Sequence, residues 1–532
     1  VASRIPLSSD TLRKRVTTAL ANYLDSEVEL ESLTLHFSPS LHAEGTNLVI
    51  RHHGRHDVPP LISIRGFAVS ASLRGLWNRR VDHVLLDGLN IQVPPRDGNN
   101  DEKDVPTDAA GKGDVAESPK KTDVKAPSPD KGSNGGGSYA KQIVITELET
   151  PDAQLTTLRS DPTKPARTWS LHSLKMQNVG MASAMPFQTL LSNAVPPGLI
   201  RATGHFGPWQ SDDPGATPLD GLFTFDDANL GVFEGISGIL SSNGSFGGTL
   251  DRIVIDGKTE TPDFMVTVGG HQVPLSTTYH AVVDGTNGDT TLDPVNATFL
   301  KTSLVARGGV YDAKGVKGRI VTLDVTMENG RMEDLMRLAV HTPTPPMTGG
   351  IYLHTKFVIP PGKGDVVDKL QLDGRFAIDS GRFTDAGVQS KVNQLSHRAR
   401  GRTSSPEKPE KVVSDFRGRF TLGKSRLALP IVTFDIPGAI VQLGGAYSLR
   451  RETIDFNGSL FMDAKISETM TGFKSLLLKL ADPFFRKNGR TVVPLKISGT
   501  RNDPHFGLDV KRVFKAKDDA PQSVPVPRKK TP

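Results

Sequence analysis

The chain has 532 residues, more than one compact domain usually holds, so several domains or one elongated architecture are expected. It has no cysteine, which excludes disulfides, zinc–thiolate and iron–sulfur sites, and cysteine nucleophiles. Hydrophobic residues are 36%, aromatics 6% and the net charge +6, which fits neither a polytopic membrane protein nor a nucleic-acid binder with base-stacking platforms.

In chain order, the first predicted element is a helix in LSSDTLRKRVTTALANYL, Leu7 to Leu24. Ser and Asp cap its start, and Leu12, Val16, Ala19, Leu20 and Tyr23 keep helical spacing beside the basic cluster Arg13, Lys14 and Arg15. The first residue is Val1 and not Met, so a signal or anchor segment is expected to have been removed ahead of it. FAVSASL, with Phe67, Val69, Ala71 and Leu73 on one parity, reads as a strand. From Arg96 to Tyr139 large apolar residues almost vanish. This stretch is expected to be disordered, because it cannot bury enough surface to offset its ordering entropy.

Beyond it, short alternating runs punctuated by Gly (52) and Pro (38) predict antiparallel strands. KLQLDGRFAID carries Leu370, Leu372, Phe376 and Ile378 on one face, and DFRGRFTL carries Phe416, Phe420 and Leu422. The clearest run is TIDFNGSLFMDAKI, with Ile454, Phe456, Leu460, Met462, Ala464 and Ile466 on one parity and polar residues on the other. Asp373-Gly374, Asn287-Gly288 and Asn457-Gly458 are read as turns, with the alternative that some of these glycines sit inside bulged strands. Crossover helices are missing between the strands, which argues against a parallel fold. Two further helices are predicted, EDLMRLAV from Glu333 and SETMTGFKSLLLKLADPFF around Met470, Phe473, Leu476, Leu477 and Leu480. One pattern occurs twice, Ile-x-Gly-x4-Pro-x-Phe, at Ile255, Gly257, Pro262, Phe264 and at Ile497, Gly499, Pro504, Phe506. Both copies are read as hairpins in which Gly bends the strand and Pro sets the turn.

The motifs that invite chemistry are weak. GRFTLGKS, Gly418 to Ser425, matches the phosphate-cradling pattern, yet Phe420 and Leu422 alternate inside it and RLALPIVTF alternates after it. That is strand, turn, strand, where a phosphate loop needs a following helix. RHHGRH places His52, His53 and His56 in a polar turn without fixed ligand geometry. DGTNGD, Asp284 to Asp289, lacks the spacing and closing Glu of a calcium loop and reads as a hairpin turn. The apolar strand faces fit either a closed sandwich or barrel core, or an open trough.

Four stretches carry a resemblance. IPLSSDTLRKRVTTALANYLDSEVELESLTLHFSPSLHAEGTNLVIR, with Pro39 and Gly45, resembles the start of the bacterial AsmA-like family just after its inner-membrane anchor. SGRFTDAGVQSKVNQLSHRARG and VPLKISGTRNDPHFGLDV resemble its C-terminal region, and PGAIVQLGGAYSLRRETIDFNGSL between them fits too. The resemblance implies a periplasmic protein, held to the inner membrane by an N-terminal helix not present in this chain. It also implies an architecture similar to repeating β-groove lipid-transfer proteins, which carry acyl chains along an apolar trough.

The expectation is therefore a mainly β chain, an elongated, curled antiparallel sheet forming an open hydrophobic groove with a few amphipathic helices near its ends. Five segments are expected: an N-terminal helix and β segment (1–95), a disordered linker (96–139), a middle groove segment (140–362), a C-terminal groove segment with an amphipathic helix (363–515) and a disordered tail (516–532). Leu372, Phe376, Ile378, Phe416, Phe420, Leu422, Ile454, Phe456, Leu460, Met462, Leu495 and Ile497 are expected to line the groove, with Leu460 on an open face that water reaches when lipid is absent. The expected function is to carry phospholipids between the inner and outer membranes, without catalysis, cofactor, metal or nucleic acid. The expected partners are phospholipids, the inner membrane, then the outer membrane and an envelope protein. The alternative is an assembly or quality-control factor for outer-membrane proteins, acting through protein contacts at sheet edges.

Overall fold

The computed structural model describes residues 10–24, 26–37, 40–52, 59–93, 143–157, 167–180, 183–210, 213–313, 318–402, 412–465, 486–487, 490–500 and 503–508. The predicted linker, the predicted helix around Leu476, His53, His56 and the C-terminal tail lie outside these residues. The helices are α1 (Asp10–Leu24), α2 (Leu73–Trp77), α3 (Met332–Ala339), α4 (Val366–Lys369) and α5 (Ala386–Ala399). The first strands are β1 (Ser26–Phe37), β2 (Leu41–His52), β3 (Ile62–Ala71), β4 (Arg80–Val93), β5 (Val144–Thr150), β6 (Ala153–Thr157), β7 (Arg167–Val179), β8 (Met185–Ala194) and β9 (Pro197–Phe206). They continue as β10 (Pro218–Asn229), β11 (Ile236–Ser237), β12 (Ile239–Thr249), β13 (Arg252–Val266), β14 (Gln272–Val283), β15 (Thr290–Phe299), β16 (Thr302–Asp312), β17 (Arg319–Arg331) and β18 (Met347–Ile359). The last are β19 (Gln371–Phe383), β20 (Ser414–Gly423), β21 (Arg426–Ile436), β22 (Ala439–Ser448), β23 (Thr453–Met462), β24 (Arg486–Lys487), β25 (Arg490–Thr500) and β26 (Pro504–Leu508). The fold is mainly β, as expected.

The chain divides into two compact units, Val1–Thr168 with Lys175–Met185, and Trp169–Leu174 with Pro186–Pro532. The boundary expected after residue 362 falls in the loop between β18 and β19, which pair over most of their length.

In the first unit β1 to β4 form an antiparallel meander with α1 packed on β1, where the Arg13 guanidinium donates to the Glu31 carbonyl at 2.6 Å. Leu30, Leu48, Ile64 and Leu89 stand opposite one another in one row, and Leu35, Ala43, Val69 and Val84 in another. Between the rows the ladder skips Glu31, Asn47, Arg65 and Gly88, and Asn47 and Gly88 take φ of 53° and 62°. A left-handed residue shifts the alternation by one. Val84 and Leu89 of β4, of opposite parity, are consequently both buried, and so are Leu30 and Leu33 on either side of the skipped Glu31. The mostly antiparallel sheet has its parallel exception here, where β4 pairs β5 and β6. Parallel neighbours need a connection of a dozen residues or more, and the long segment between Val93 and Val144 supplies the length.

In the second unit β9, β10, β12 to β23, β25 and β26 pair antiparallel in chain order. Bulges interrupt many of these ladders, and Pro262, Pro294 and Pro430 sit in three of them. There the missing proline N–H breaks no ladder bond and the extra residue bends the strand. The accumulated curl brings the sheet back on itself. The Val366 amide at the start of α4 donates to the Glu234 carbonyl after β10 at 2.8 Å. Gly235, with φ 100°, lies against Asp365, where a Cβ would sit 2.5 Å from its carboxylate.

Two of the three turn assignments change. Asp373-Gly374 and Asn457-Gly458 lie inside β19 and β23, and only Asn287-Gly288 is in a turn. A Cβ on Gly458 would approach the Gln442 carbonyl, and one on Gly374 would lie 2.5 Å from the His354 carbonyl, so these glycines permit close strand approach. The first copy of the repeated pattern is also no hairpin. Ile255 to Phe264 is one strand, bulged at Pro262, whereas the second copy does turn, between β25 and β26.

Two helices close the same ends of these strands. Met332, Leu335 and Met336 of α3, predicted from Glu333, pack on Val273, Phe299, Met327, Ile351 and Ile378. The buried Asp334 carboxylate fixes that helix by accepting the Lys301 amide and the Thr302 hydroxyl, both at 2.9 Å. α5 was not predicted. Its cues are present, since Asp385 caps it by accepting the Val388 amide at 2.7 Å, and Val392, Leu395 and Ala399 share a face. That face covers Ile436, Ala439, Val441, Leu460, Met462 and Val493.

Leu460 is thus 7% exposed inside a closed core, and the neighbouring Phe461, of opposite parity, is buried too. This corrects the expectation of an open face at that position. Leu460→Asp should destabilise the protein by roughly 3–5 kcal/mol, as burial of an unpaired charge does. Ser459→Asp, on the opposite parity, should melt near the parent temperature. Circular dichroism melting reads both, and an unchanged Leu460→Asp would contradict the packing.

Candidate functional site

Directly paired residues in adjacent strands point to the same side of a sheet. Following the pairs through the second unit gives one continuous row: Gly204, Gly221, Phe246, Ile255, Ala281, Leu292, Gly308, Leu323, then Phe357, Leu372, Leu422, Leu427, Tyr447, Ile454, Gly499. At ~4.8 Å per strand the row runs roughly 65–70 Å along the sheet. No member is charged. A parallel row holds Met327, Leu353, Phe376, Gly418, Val432, Leu443, Gly458 and Leu495, and a third Ile351, Ile378, Phe416, Phe434, Val441, Leu460 and Val493.

All twelve residues expected to line a groove fall on this one face. Leu372, Leu422 and Ile454 share the first row, Phe376 and Leu495 the second, and Ile378, Phe416 and Leu460 the third. Phe420 stands opposite Gly374, Phe456 opposite Gly445 and Ile497, and Met462 opposite Ala439. They differ in cover. Ile378, Leu460 and Met462 belong to the helix-capped cores, whereas Leu372, Ile454, Phe456 and Ile497 are half-buried.

Glycine and aromatic residues are matched across the strands. Phe246 faces Gly221, Phe223 faces Gly244, Tyr279 faces Gly257, Phe376 faces Gly418 and Phe456 faces Gly445. A Cβ on each of these glycines would fall 2.7–3.0 Å from the ring. The ring therefore lies flat over the neighbouring backbone, which keeps the face smooth and apolar where glycine leaves no side chain. Hydroxyls on this face bond one another, as in Thr259 with Thr277 at 2.7 Å, or the backbone, as in Ser242 with the Lys258 carbonyl at 2.9 Å. Burial pushes the Tyr279 phenol above its ordinary range, so it stays neutral against Gly257.

The opposite face is wet. Arg307, Asp324, Lys356 and Asp373 form one row across it. His205 pairs with Asp220 at 3.1 Å, His280 with Asp256 at 2.7 Å and His354 with Asp324 at 3.1 Å. Exposed pairs of this kind set register more than stability.

The motif-like stretches resolve as hairpins. GRFTLGKS runs out of β20 and turns at Lys424 and Ser425, both left-handed, into β21. DGTNGD closes the β14–β15 hairpin, with Asp284 accepting the Thr286 amide at 2.8 Å. His52 ends β2. One cluster was not visible in sequence, because the parallel pairing of β4 with β5 creates it: His83, Glu147 and Glu149 of the first unit have ligand atoms within 4.8 Å of one another. Lys175 donates to Glu149 at 2.5 Å and holds that carboxyl below the usual carboxylate range, so the ammonium already occupies the acidic position.

No family model, curated protein or solved structure matches the chain. The sheet is therefore read from its own residues.

The polar face opposes like charges at Arg375 and Arg419, and again at an acidic pair. Asp415 stands directly opposite Asp435. Burial and then the Asp415 charge raise the Asp435 carboxyl above its ordinary value. A raised folded value means that proton binding favours folding. The penalty is absent below the unfolded value of ~3.9 and builds as pH rises through the folded one. Asp435→Asn should thus raise the melting temperature at pH 7, with the gain shrinking as pH falls toward about 4. An equal gain at both pH values would contradict the charge explanation.

Proposed function

We propose that this protein binds phospholipid acyl chains on the apolar face of its second unit and carries them between the inner and outer membranes of a bacterial envelope. The observation that supports this reading is the uncharged row continued through fifteen strands, backed by a charged opposite face. A closed core needs no such length in one direction, whereas a sliding acyl chain needs apolar contact at every step. Roughly 25 cal/mol per Å² of apolar area holds such a chain without any directed bond. The headgroup stays in water, consistent with a face that offers no built polar pocket along the row. The resemblance of the quoted N- and C-terminal stretches to the AsmA-like family supports the same reading and the periplasmic setting.

Leu323 tests it. Its side chain is half-buried, faces Gly308 on one side and Phe357 on the other, and lies away from both helix-capped cores. The protein should carry phospholipid through purification, read by mass spectrometry. Leu323→Asp should stay folded and lose most of it, because an acyl chain does not pass a carboxylate. Thr322→Asp, on the exposed face, should keep it. Absence of lipid from the parent protein, or equal lipid in both variants, would favour an assembly factor acting through sheet edges.

A further inference from the structure

The first unit gathers exposed apolar side chains at one end of its sheet. Trp77 is 90% exposed, Leu73 66%, Ile143 51%, Phe37 50% and Leu76 38%. Scattered single exposures are ordinary on a protein surface, but a group of this size at one place marks a contact surface. Strand pairing puts them together. Phe37 pairs with Leu41 and Leu41 with Ala71, two residues before Leu73, while Ile143 precedes Val144, whose amide donates to the Arg79 carbonyl at 3.0 Å.

The tip that presents Leu73 and Trp77 is held rigidly. Ser72 caps α2 by accepting the Gly75 amide at 3.1 Å, and Asp82 accepts the Ser72 amide at 2.6 Å. The Asn78 amide closes the last turn on the Arg74 carbonyl at 3.1 Å, and Arg79 leaves it with φ 58°. Gly75 fits because a Cβ there would lie 2.9 Å from the Arg80 carbonyl. An indole so exposed on so constrained a turn is displayed. Arg74, Arg79 and Arg80 flank it in the chain; Arg80 donates to the Asn178 side-chain carbonyl at 3.2 Å, and the carboxylate of Asp82 is engaged with the Ser72 backbone.

We propose that this end of the first unit docks on a lipid bilayer bearing anionic headgroups, with Trp77, Leu73 and Leu76 entering the interfacial layer and Arg74 and Arg79 meeting lipid phosphates. Tryptophan suits that layer because its ring is apolar and its N–H finds a wet partner there. Arginines add attraction that salt screens. The proposal concerns how the protein meets a membrane and does not depend on a cargo in the second unit.

Flotation with vesicles of phosphatidylcholine, pure or mixed with phosphatidylglycerol, tests it on the full chain. The parent should float with the mixed vesicles, less so at high salt. Leu73→Ser with Trp77→Ser should weaken binding at least roughly tenfold, since two large side chains lose burial. Arg74→Glu should weaken binding to the mixed vesicles only. Leu222→Ser, which removes an exposed leucine of the second unit, should change nothing. All these positions are exposed, and matching melting curves confirm intact folds. No binding by the parent, or parent-like binding by the double variant, overturns the proposal. So does a concentration-dependent dimer that the double variant dissolves, which would give the patch to a second copy of the chain. Lipid co-purifying with the double variant separates this outcome from failure of acyl binding.

Discussion

Strand register is the constraint on which the second unit depends. Because side chains alternate, a one-residue slip in any ladder would send every apolar residue of that strand to the wet side. Nine ladders shift register at bulges, yet the first row passes through fifteen strands without meeting a charge. Bulges bend the sheet, and the pairs on either side of them restore the phase. In the first unit Gly88 does the equivalent work in β4, changing parity so that Val84 and Leu89 are both buried. A sheet that must curl and stay one-sided needs such phase corrections at intervals.

The glycine–aromatic pairs serve the same end. Strand glycines weaken a ladder by exposing backbone and packing nothing. Here a ring from the next strand covers the gap, as Phe376 does over Gly418 and Tyr279 over Gly257. Curvature is thus obtained without opening polar holes in the apolar face. Helices α3 and α5 then close one end of the strands, and there the face becomes an ordinary core around Met327 and Leu460.

Much of this was legible in the sequence. Period-two runs such as Leu372 to Ile378 and Ile454 to Met462 declared strands and their inner face, because alternation is a local signal. The twelve residues chosen on that basis do share one face. Cover was not legible. Nothing near Leu460 in sequence says that α5, some seventy residues earlier, lies over it. Turn assignment failed at Gly374 and Gly458 for a related reason, since an Asp-Gly or Asn-Gly pair looks the same in a turn and beneath a neighbouring strand. The row from Phe246 to Phe357 was missed because Gly and Thr dilute its alternation. Trp77 was missed because exposure on a five-residue helix has no periodic signature.

The bond between Val366 and Glu234 has a topological consequence. Between them lie eight strand-to-strand steps, from β10 to β19, and the bond joins the ends of that arc. Eight steps join nine strands, about as many as close a small β-barrel. The two ends of the arc thus meet through a backbone hydrogen bond between connecting segments, where a barrel would pair its first and last strands in a ladder. A clasp this slight, net worth about 1 kcal/mol, would open far more often than any ladder in the sheet.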